Sequence, residues 1–391
     1  MPHDRKRYLT DIITQKLKFS PVVSIQGARQ TGKSFLAREL LIGAWPKLVY
    51  RTFDKAAERS FAEDSPDTYL SQYAEAKPLV IDEAKKVPAI FDAVKLAVDE
   101  KRTPGKFLLL GSTEFSKLTR IRESLTGRVS RALLYPFTAT ESLHLPLTAS
   151  VQPFFLNEAP SITRPELLRY TRRGGMPGIF AVHEDKERES LVSDWIDLTV
   201  QRDIHLFPGK QADSGLAYRI LQNIATAEHP DLATIAKLTN SDRRIVQRHI
   251  EMLKTLFVIE ELPAHPWGSG KPCYFLCDVA LCQFFGASFR RILQTWVLHE
   301  LNAKKSYTGE TKRRYFYFRN NKGSIIDFIE DSPQGISALK IFDTEKFNSK
   351  DFYLLRSISK THPSTKLFVL GASRQSITDE KVQMYPWEAL A

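Results

Sequence analysis

The apolar positions along this chain change period several times, and each change marks an element. Val22-Val23-Ser24-Ile25 is a short β-branched run, the pattern of a strand buried on both faces. After a turn that carries two glycines, Phe35-Leu36-Ala37-Arg38-Glu39-Leu40-Leu41 shows helical spacing. Residues 47–54, 78–83, 107–110 and 132–137 are further apolar runs that read as strands, and 55–76, broken by Pro66, as helix and loop. Tyr8-Leu9, Ile12-Ile13 and Leu17 give a short helix ahead of them. Strands alternating with helices predict an α/β domain built on a parallel sheet.

The pattern shifts beyond a proline-bearing stretch at 153–166, where a domain boundary is expected. Residues 186–206 form a long helix with Leu191, Trp195, Leu198 and Thr199 on one face, and 214–227 a second with Leu216, Ile220, Leu221 and Ile224. Residues 232–238, the polar turn Thr239-Asn240-Ser241-Asp242 and a helix over 243–257 read as a helix-turn-helix. Ile245, Ile250, Leu253 and Leu256 are expected to face inward, and Arg243, Arg244, Arg248 and Lys254 outward. Residues 258–262 and 271–276 are candidates for a β-wing. The last third starts with a helix at 296–301 and continues as strands at 313–319, 325–329 and 335–341. The expected division is therefore 1–150, 151–285 and 286–391, giving an α/β domain on a parallel sheet, a helical and winged-helix middle, and a C-terminal α/β domain.

Composition narrows the class. With 391 residues and 42% hydrophobic content the chain can bury more than one core. No stretch reaches the ~20 apolar residues of a membrane span, and the charged N-terminus lacks the apolar segment of a signal peptide. A soluble, cytoplasmic protein is the expectation. Cys273, Cys277 and Cys282 lie among apolar residues and read as buried, reduced thiols. The net charge of +11 favours an anionic partner, with nucleic acid the leading class.

The chemistry is concentrated near the N-terminus. Gly27-Ala28-Arg29-Gln30-Thr31-Gly32-Lys33-Ser34, with Phe35 opening the helix, fits G-x-x-x-x-G-K-S between a strand and a helix. The glycines let backbone amides wrap a polyphosphate, Lys33 would neutralise its β- and γ-phosphates, and Ser34 would bind Mg²⁺. Asp82 and Glu83 end a buried strand, the arrangement in which the first carboxylate holds Mg²⁺ and the second polarises the attacking water. Ser112 or Thr113, at the end of another strand, is placed to orient water or sense the γ-phosphate. Arg128 is the candidate arginine for a neighbouring subunit's phosphate, with Arg120, Arg122 and Arg131 as rivals.

The P-loop run, the extended acidic strand end Asp82-Glu83-Ala84-Lys85-Lys86-Val87-Pro88 and Leu125-Thr126-Gly127-Arg128 resemble AAA-type ATPases that carry a C-terminal DUF4143 domain. Gly174-Gly175-Met176-Pro177 and Gln201-Arg202-Asp203-Ile204 resemble later motifs of that family. The resemblance implies ATP and Mg²⁺ as cofactors and a ring homo-oligomer. It also implies a restriction-endonuclease-like C-terminal core, in which an Asp and an E-x-K motif hold a divalent metal. Asp327 and Lys340 match, but Ala338 stands where the second carboxylate belongs, and Glu300 is the available substitute. An inactive or DNA-binding remnant is expected, with Arg313 and Arg314 in a basic, aromatic stretch that also holds Lys304, Tyr315 and Tyr317. The function expected is a Mg²⁺-dependent ATPase acting on nucleic acid, DNA ahead of RNA. An ATP-controlled assembly switch and an active nuclease are the alternatives.

Overall fold

The structure is a computed structural model that describes residues 5–117, 127–147, 152–157, 159–207, 211–344, 352–372, 377–379 and 382–391. Two compact units are distinguished, one of residues 1–136 with 255–257 and the other of residues 137–254 with 258–391. The middle and C-terminal regions expected as separate domains thus fall within a single unit.

Among the described residues of the first unit, five strands form a sheet: β1 Val22–Gln26, β2 Val49–Thr52, β3 Leu79–Asp82, β4 Phe107–Gly111 and β5 Val129–Leu133. Strands β1, β3 and β4 are buried along their whole length, which is why they read as uninterrupted apolar runs. Every ladder is parallel and the order is β2-β3-β4-β1-β5. The helix Ala89–Glu100 buries Ile90, Phe91, Val94 and Val98 in one cluster with Leu79, Ile81, Phe107 and Leu109. The helix Leu9–Phe19 contributes Leu9, Ile13 and Leu17 to the interior. Strand β5 starts earlier than its apolar run suggests, because it is an edge strand whose first residues are only half-buried. Since the strand order reverses direction at β1, the loops leaving the C-terminal ends of β1, β3 and β4 open on one crevice, where ligands bind in such sheets.

The second unit contains the helices Arg164–Arg173, Asp185–Gln201, Ser214–Thr226, Leu232–Leu238 and Arg243–Thr255, then a hairpin of β6 Ile259–Leu262 with β7 Cys273–Leu276. Asp231 caps its helix by accepting from Thr234 N at 2.7 Å, and Asp242 caps the next by accepting from Arg244 N at 2.8 Å. The phase of the second of these helices is set by Val246, Ile250 and Leu253, all buried. Ile245, expected to face inward, is 40% exposed, because its neighbour Val246 takes the inward position. Lys254, expected outward, is half-buried and paired with Glu251 and Glu261.

Beyond the helix Phe289–Thr308 lies a mixed sheet of β8 Arg314–Arg319, β9 Ile325–Ser332, β10 Gly335–Ile341, β11 Lys366–Gly371, β12 Ile377–Asp379 and β13 Val382–Pro386. Its order is β12-β13-β11-β10-β9-β8. Strands β8, β9 and β10 form an antiparallel meander, and β10–β11 and β11–β13 are parallel. All three cysteines are buried and free, and burial pushes the thiols of Cys273 and Cys282 up to about 11.

The basic, aromatic stretch is divided: Lys312, Arg314 and Lys322 are exposed, whereas four other members lie inside. Lys304 is buried and donates to the Leu390 carbonyl. Arg313 is 1% exposed, pairs with Glu310, and reaches Glu330 Oε1 at 3.1 Å and the Gln152 carbonyl at 3.1 Å. Its guanidinium also sits 4.2 Å above the Phe155 ring. Tyr315 and Tyr317 are buried as well. A buried guanidinium must be paired to offset its lost hydration, so the Arg313 position is structural and not available to a phosphate backbone. Arg313→Met should lower unit stability by roughly 3–5 kcal/mol, because Glu330 is left buried and uncompensated. Denaturant titration checks this, and a change below about 1 kcal/mol would contradict it.

Candidate active site at the end of the parallel sheet

The loop that leaves β1 is shaped by two glycines. A Cβ at Gly27 would lie 2.1 Å from the Leu134 carbonyl oxygen, so only glycine fits there. Gly32 sits at φ 93°, in the left-handed region, and starts the helical turn Lys33–Phe35, which runs on as a π-type turn over Leu36–Leu40. Between them Gln30 also has positive φ, at 62°, and the buried Thr31 hydroxyl donates to the Ala28 carbonyl at 3.0 Å. Ala28 is buried, whereas Arg29 is half-exposed and Gln30 exposed. The Lys33 ammonium lies inside the loop, donating to the carbonyls of Gly27 at 3.0 Å and Ala28 at 2.7 Å. Burial pushes it down to about 8, against the pull of the Glu83 and Asp82 carboxylates.

The carboxylates meet this loop from β3. Asp82 Oδ2 accepts from the Ser34 hydroxyl at 2.5 Å and from the Tyr50 phenol at 2.5 Å, while Oδ1 accepts from Glu83 N at 2.9 Å. Burial and the bond to Asp82 raise the Tyr50 phenol well above its ordinary value. A serine hydroxyl beside an aspartate is a pair of hard oxygen donors of the kind Mg²⁺ takes, so these residues fit the metal that a P-loop site uses. Glu83 follows at φ 53°, a left-handed conformation uncommon for a non-glycine residue, which turns the chain sharply at the strand end. At the end of β4, Ser112 Oγ accepts from Lys85 Nζ at 3.0 Å, and Lys85 lies 3.8 Å from Glu83. Among the described residues the buried Thr113 hydroxyl has no hydrogen-bond partner. The structure thus brings together Lys33, Ser34, Asp82, Glu83 and Ser112 on one edge, with Lys85 linking the last two.

Three participants escaped the reading of the sequence. Tyr50 lies within an ordinary strand, and Lys85 belongs to the run after the acidic strand end without a role assigned to it. Arg7 lies far ahead of any motif, yet it is 2% exposed and donates to the Thr31 carbonyl at 2.6 Å and the Tyr135 carbonyl at 2.7 Å. It ties the phosphate loop to the segment after β5.

The remaining candidates are more dispersed. Arg128 forms a two-point pair with Asp99, at 2.6 Å and 2.8 Å, and Arg131 pairs with Glu114 at 3.0 Å. Arg120, Arg122 and Thr126 lie outside the described residues. Arg243 and Arg244 are exposed at the start of their helix, whereas Arg248 is half-exposed with its Nε buried. Arg314 is exposed on edge strand β8 and pairs with Asp331 at 2.6 Å.

In the second unit, the expected metal ligands do not assemble. Glu300 is buried elsewhere, accepting from Ala139 N at 2.7 Å and the Trp296 indole at 3.1 Å, and burial pushes its carboxyl up to about 7. Asp327 is engaged by Arg290 and Gln294 on one oxygen and by Ile341 N on the other. With Ala338 supplying no oxygen, these residues do not fit a divalent metal.

Comparison with known proteins agrees with the first unit's geometry. Residues 19–143 match the AAA domain family, so the N-terminal unit carries an AAA-type P-loop domain. Residues 164–282 match a domain of unknown function, DUF8612, in place of the DUF4143 domain that the sequence resembles. Uncharacterized proteins of Mycobacterium bovis and Mycobacterium tuberculosis are each 24% identical over 265 residues, 65% of this chain and 52% of theirs. The chain thus spans about half the length of these curated relatives. A Walker-type ATPase of Pyrococcus abyssi aligns over 73% of this chain and 99% of its own, at 12% identity and a TM-score of 0.47. A Vibrio cholerae protein aligns over 95% of both chains at 8% identity and a TM-score of 0.22. No helix among the described residues is long and apolar enough to cross a membrane.

Arg7→Met removes two charge-assisted bonds from beneath the phosphate loop. Nucleotide affinity should fall about tenfold, roughly 1.4 kcal/mol, in a fluorescent-nucleotide titration. An unchanged Kd would show that the loop keeps its shape without Arg7.

Proposed function

We propose that this chain binds ATP together with Mg²⁺ and hydrolyses it. The observation that carries the reading is the convergence of Lys33, Ser34, Asp82 and Glu83 at one sheet edge, with Ser34 and Asp82 in direct contact. The backbone amides of residues 27–35 would cradle the polyphosphate. Lys33 would exchange the carbonyls of Gly27 and Ala28 for β- and γ-phosphate oxygens, because an ammonium bonds an anion more strongly than a neutral acceptor. Ser34 and Asp82 would hold Mg²⁺, which when bound neutralises charge on the phosphate oxygens. Glu83 would orient the attacking water in line with the γ-phosphorus and draw off its proton. Ser112 would hydrogen-bond the transferring group from the neighbouring strand, and Lys85 would keep Ser112 and Glu83 in register.

The proposal extends to a ring homo-oligomer in which Arg128 crosses to a neighbour's γ-phosphate, exchanging Asp99 for the developing charge. A nucleic-acid partner, DNA ahead of RNA, is supported by the +11 charge and by Arg243 and Arg244 at the start of the second helix of a helix-turn-helix. The hairpin β6–β7 that follows suits a winged-helix reading of this segment. Nuclease action is not part of the proposal, because both Asp327 oxygens are already bonded.

Lys33→Ala should abolish nucleotide binding, whereas Glu83→Gln should keep it and lose turnover by about 100-fold or more. Steady-state phosphate release beside equilibrium binding separates the two, and wild-type turnover in Glu83→Gln would refute the assignment. For the nucleic-acid partner, Arg243→Ala with Arg244→Ala should weaken DNA binding across sequences and reduce the salt slope by about two. If no DNA binds in a salt-sensitive way or stimulates turnover, the chain is better described as an ATP-controlled assembly switch.

A further inference from the structure

The second unit encloses a cavity of about 380 Å³, within the ~300–1,000 Å³ range of small-molecule sites. Its floor is the place where a nuclease-like core would hold a metal, and there Asp327 is met by the cations Arg290 and Lys340. Arg290 donates to Asp327 Oδ1 at 2.7 Å and to the Ile341 carbonyl. Gln294 donates to the same Asp327 oxygen at 2.6 Å. Asp327 Oδ2 accepts from Ile341 N at 2.8 Å, and Lys340 Nζ stands 3.8 Å from it while donating to the Ile325 carbonyl at 2.6 Å. Although burial alone would raise it, Lys340 and Arg290 hold the Asp327 carboxyl below its usual range.

These partners leave the aspartate saturated and the cations in excess. Of the charged residues that line the cavity, Arg290, Arg291 and Lys340 are positive, and Asp327 and Glu228 are negative. Arg291 donates to the carbonyls of Ile224 and Tyr274 and bonds Cys273, so among the described residues its hydrogen bonds reach no carboxylate. Arg290 and Lys340 remain partly exposed, at 27% and 19%, and an ammonium with three protons has donors left for a ligand. At the rim, Ser324 is exposed, and Tyr353 is 75% exposed and offers a ring face.

We propose that this cavity binds the phosphate of a mononucleotide, with Lys340 and Arg290 holding the phosphate and Tyr353 stacking on the base. The guanidinium of Arg290 stands in for the divalent metal, which inverts the charge that the pocket selects. A buried aspartate paired with two cations repels a further cation and leaves a net attraction for an anion. The site is separate from the phosphate loop of the first unit, so its existence does not depend on whether the chain hydrolyses ATP.

The test uses the full chain carrying Lys33→Ala, titrated calorimetrically with adenosine monophosphate, which lacks the β- and γ-phosphates that the first site would grip. Saturable binding is expected, with inorganic phosphate as a competitor. Lys340→Met should weaken it about tenfold or more, and Lys340→Arg should restore most of it. Ser324→Asp, at the exposed rim, should produce the same loss without touching the buried network, and thermal melting of each variant reports folding. The proposal is overturned by the absence of saturable binding, by failure of phosphate to compete, or by binding that neither Lys340→Met nor Ser324→Asp alters. Saturable Mn²⁺ binding that disappears in Asp327→Asn would equally overturn it.

Discussion

The contact between Ser34 and Asp82 is the constraint on which the first unit's chemistry depends. It joins a loop after β1 to the end of β3, residues 48 positions apart, across the intervening strand β4. Such a meeting requires all three strands to run parallel and to end at the same level, which the register of β1 with β4 and of β3 with β4 provides. The helix Ala89–Glu100 packs against Leu79, Ile81, Phe107 and Leu109, side chains of one face, and so holds β3 and β4 in that register. Asp82 is then oriented a second time by Tyr50, from the far strand β2. Packing energy in the sheet is what places a hydroxyl, an ammonium and two carboxylates within reach of one ligand.

Much of this was legible in the sequence because both the strands and the loop carry strong local signals. A continuous apolar run, followed by two glycines at a fixed spacing and then a helix, leaves few alternatives, and the strand ending in Asp82-Glu83 is comparably distinctive. What escaped was long-range support. Nothing local to Arg7 announces that it will be buried beneath Thr31, and nothing about Tyr50 or Lys85 separates a site residue from an ordinary strand or surface position. Periodicity also located the helix Arg243–Thr255 without fixing its phase, since Ile245 and Val246 are equally apolar and only packing decides which turns inward.

The basic stretch in the C-terminal third shows the opposite limit. Charge density in sequence suggested a surface for a phosphate backbone, yet Lys304 and Arg313 are interior residues satisfied by a carbonyl and by glutamates. Glu330, from strand β9, joins the nearby Glu310 in neutralising Arg313, and pairing across the fold cannot be read from a run of residues. The same effect operates at Asp327. Its position resembles a metal ligand, but Arg290, from the helix Phe289–Thr308, occupies one of its oxygens as a counter-ion, a pairing that only tertiary placement decides.

The central claim is that the edge formed by β1, β3 and β4 is a hydrolytic site for ATP. Single-turnover chemistry tests it most directly: the full chain in excess over radiolabelled ATP, quenched over time, with Mg²⁺ or with a chelator. The account predicts that bound ATP releases its γ-phosphate only when Mg²⁺ is present. Recovery of the bound ATP intact in the presence of Mg²⁺ would contradict it.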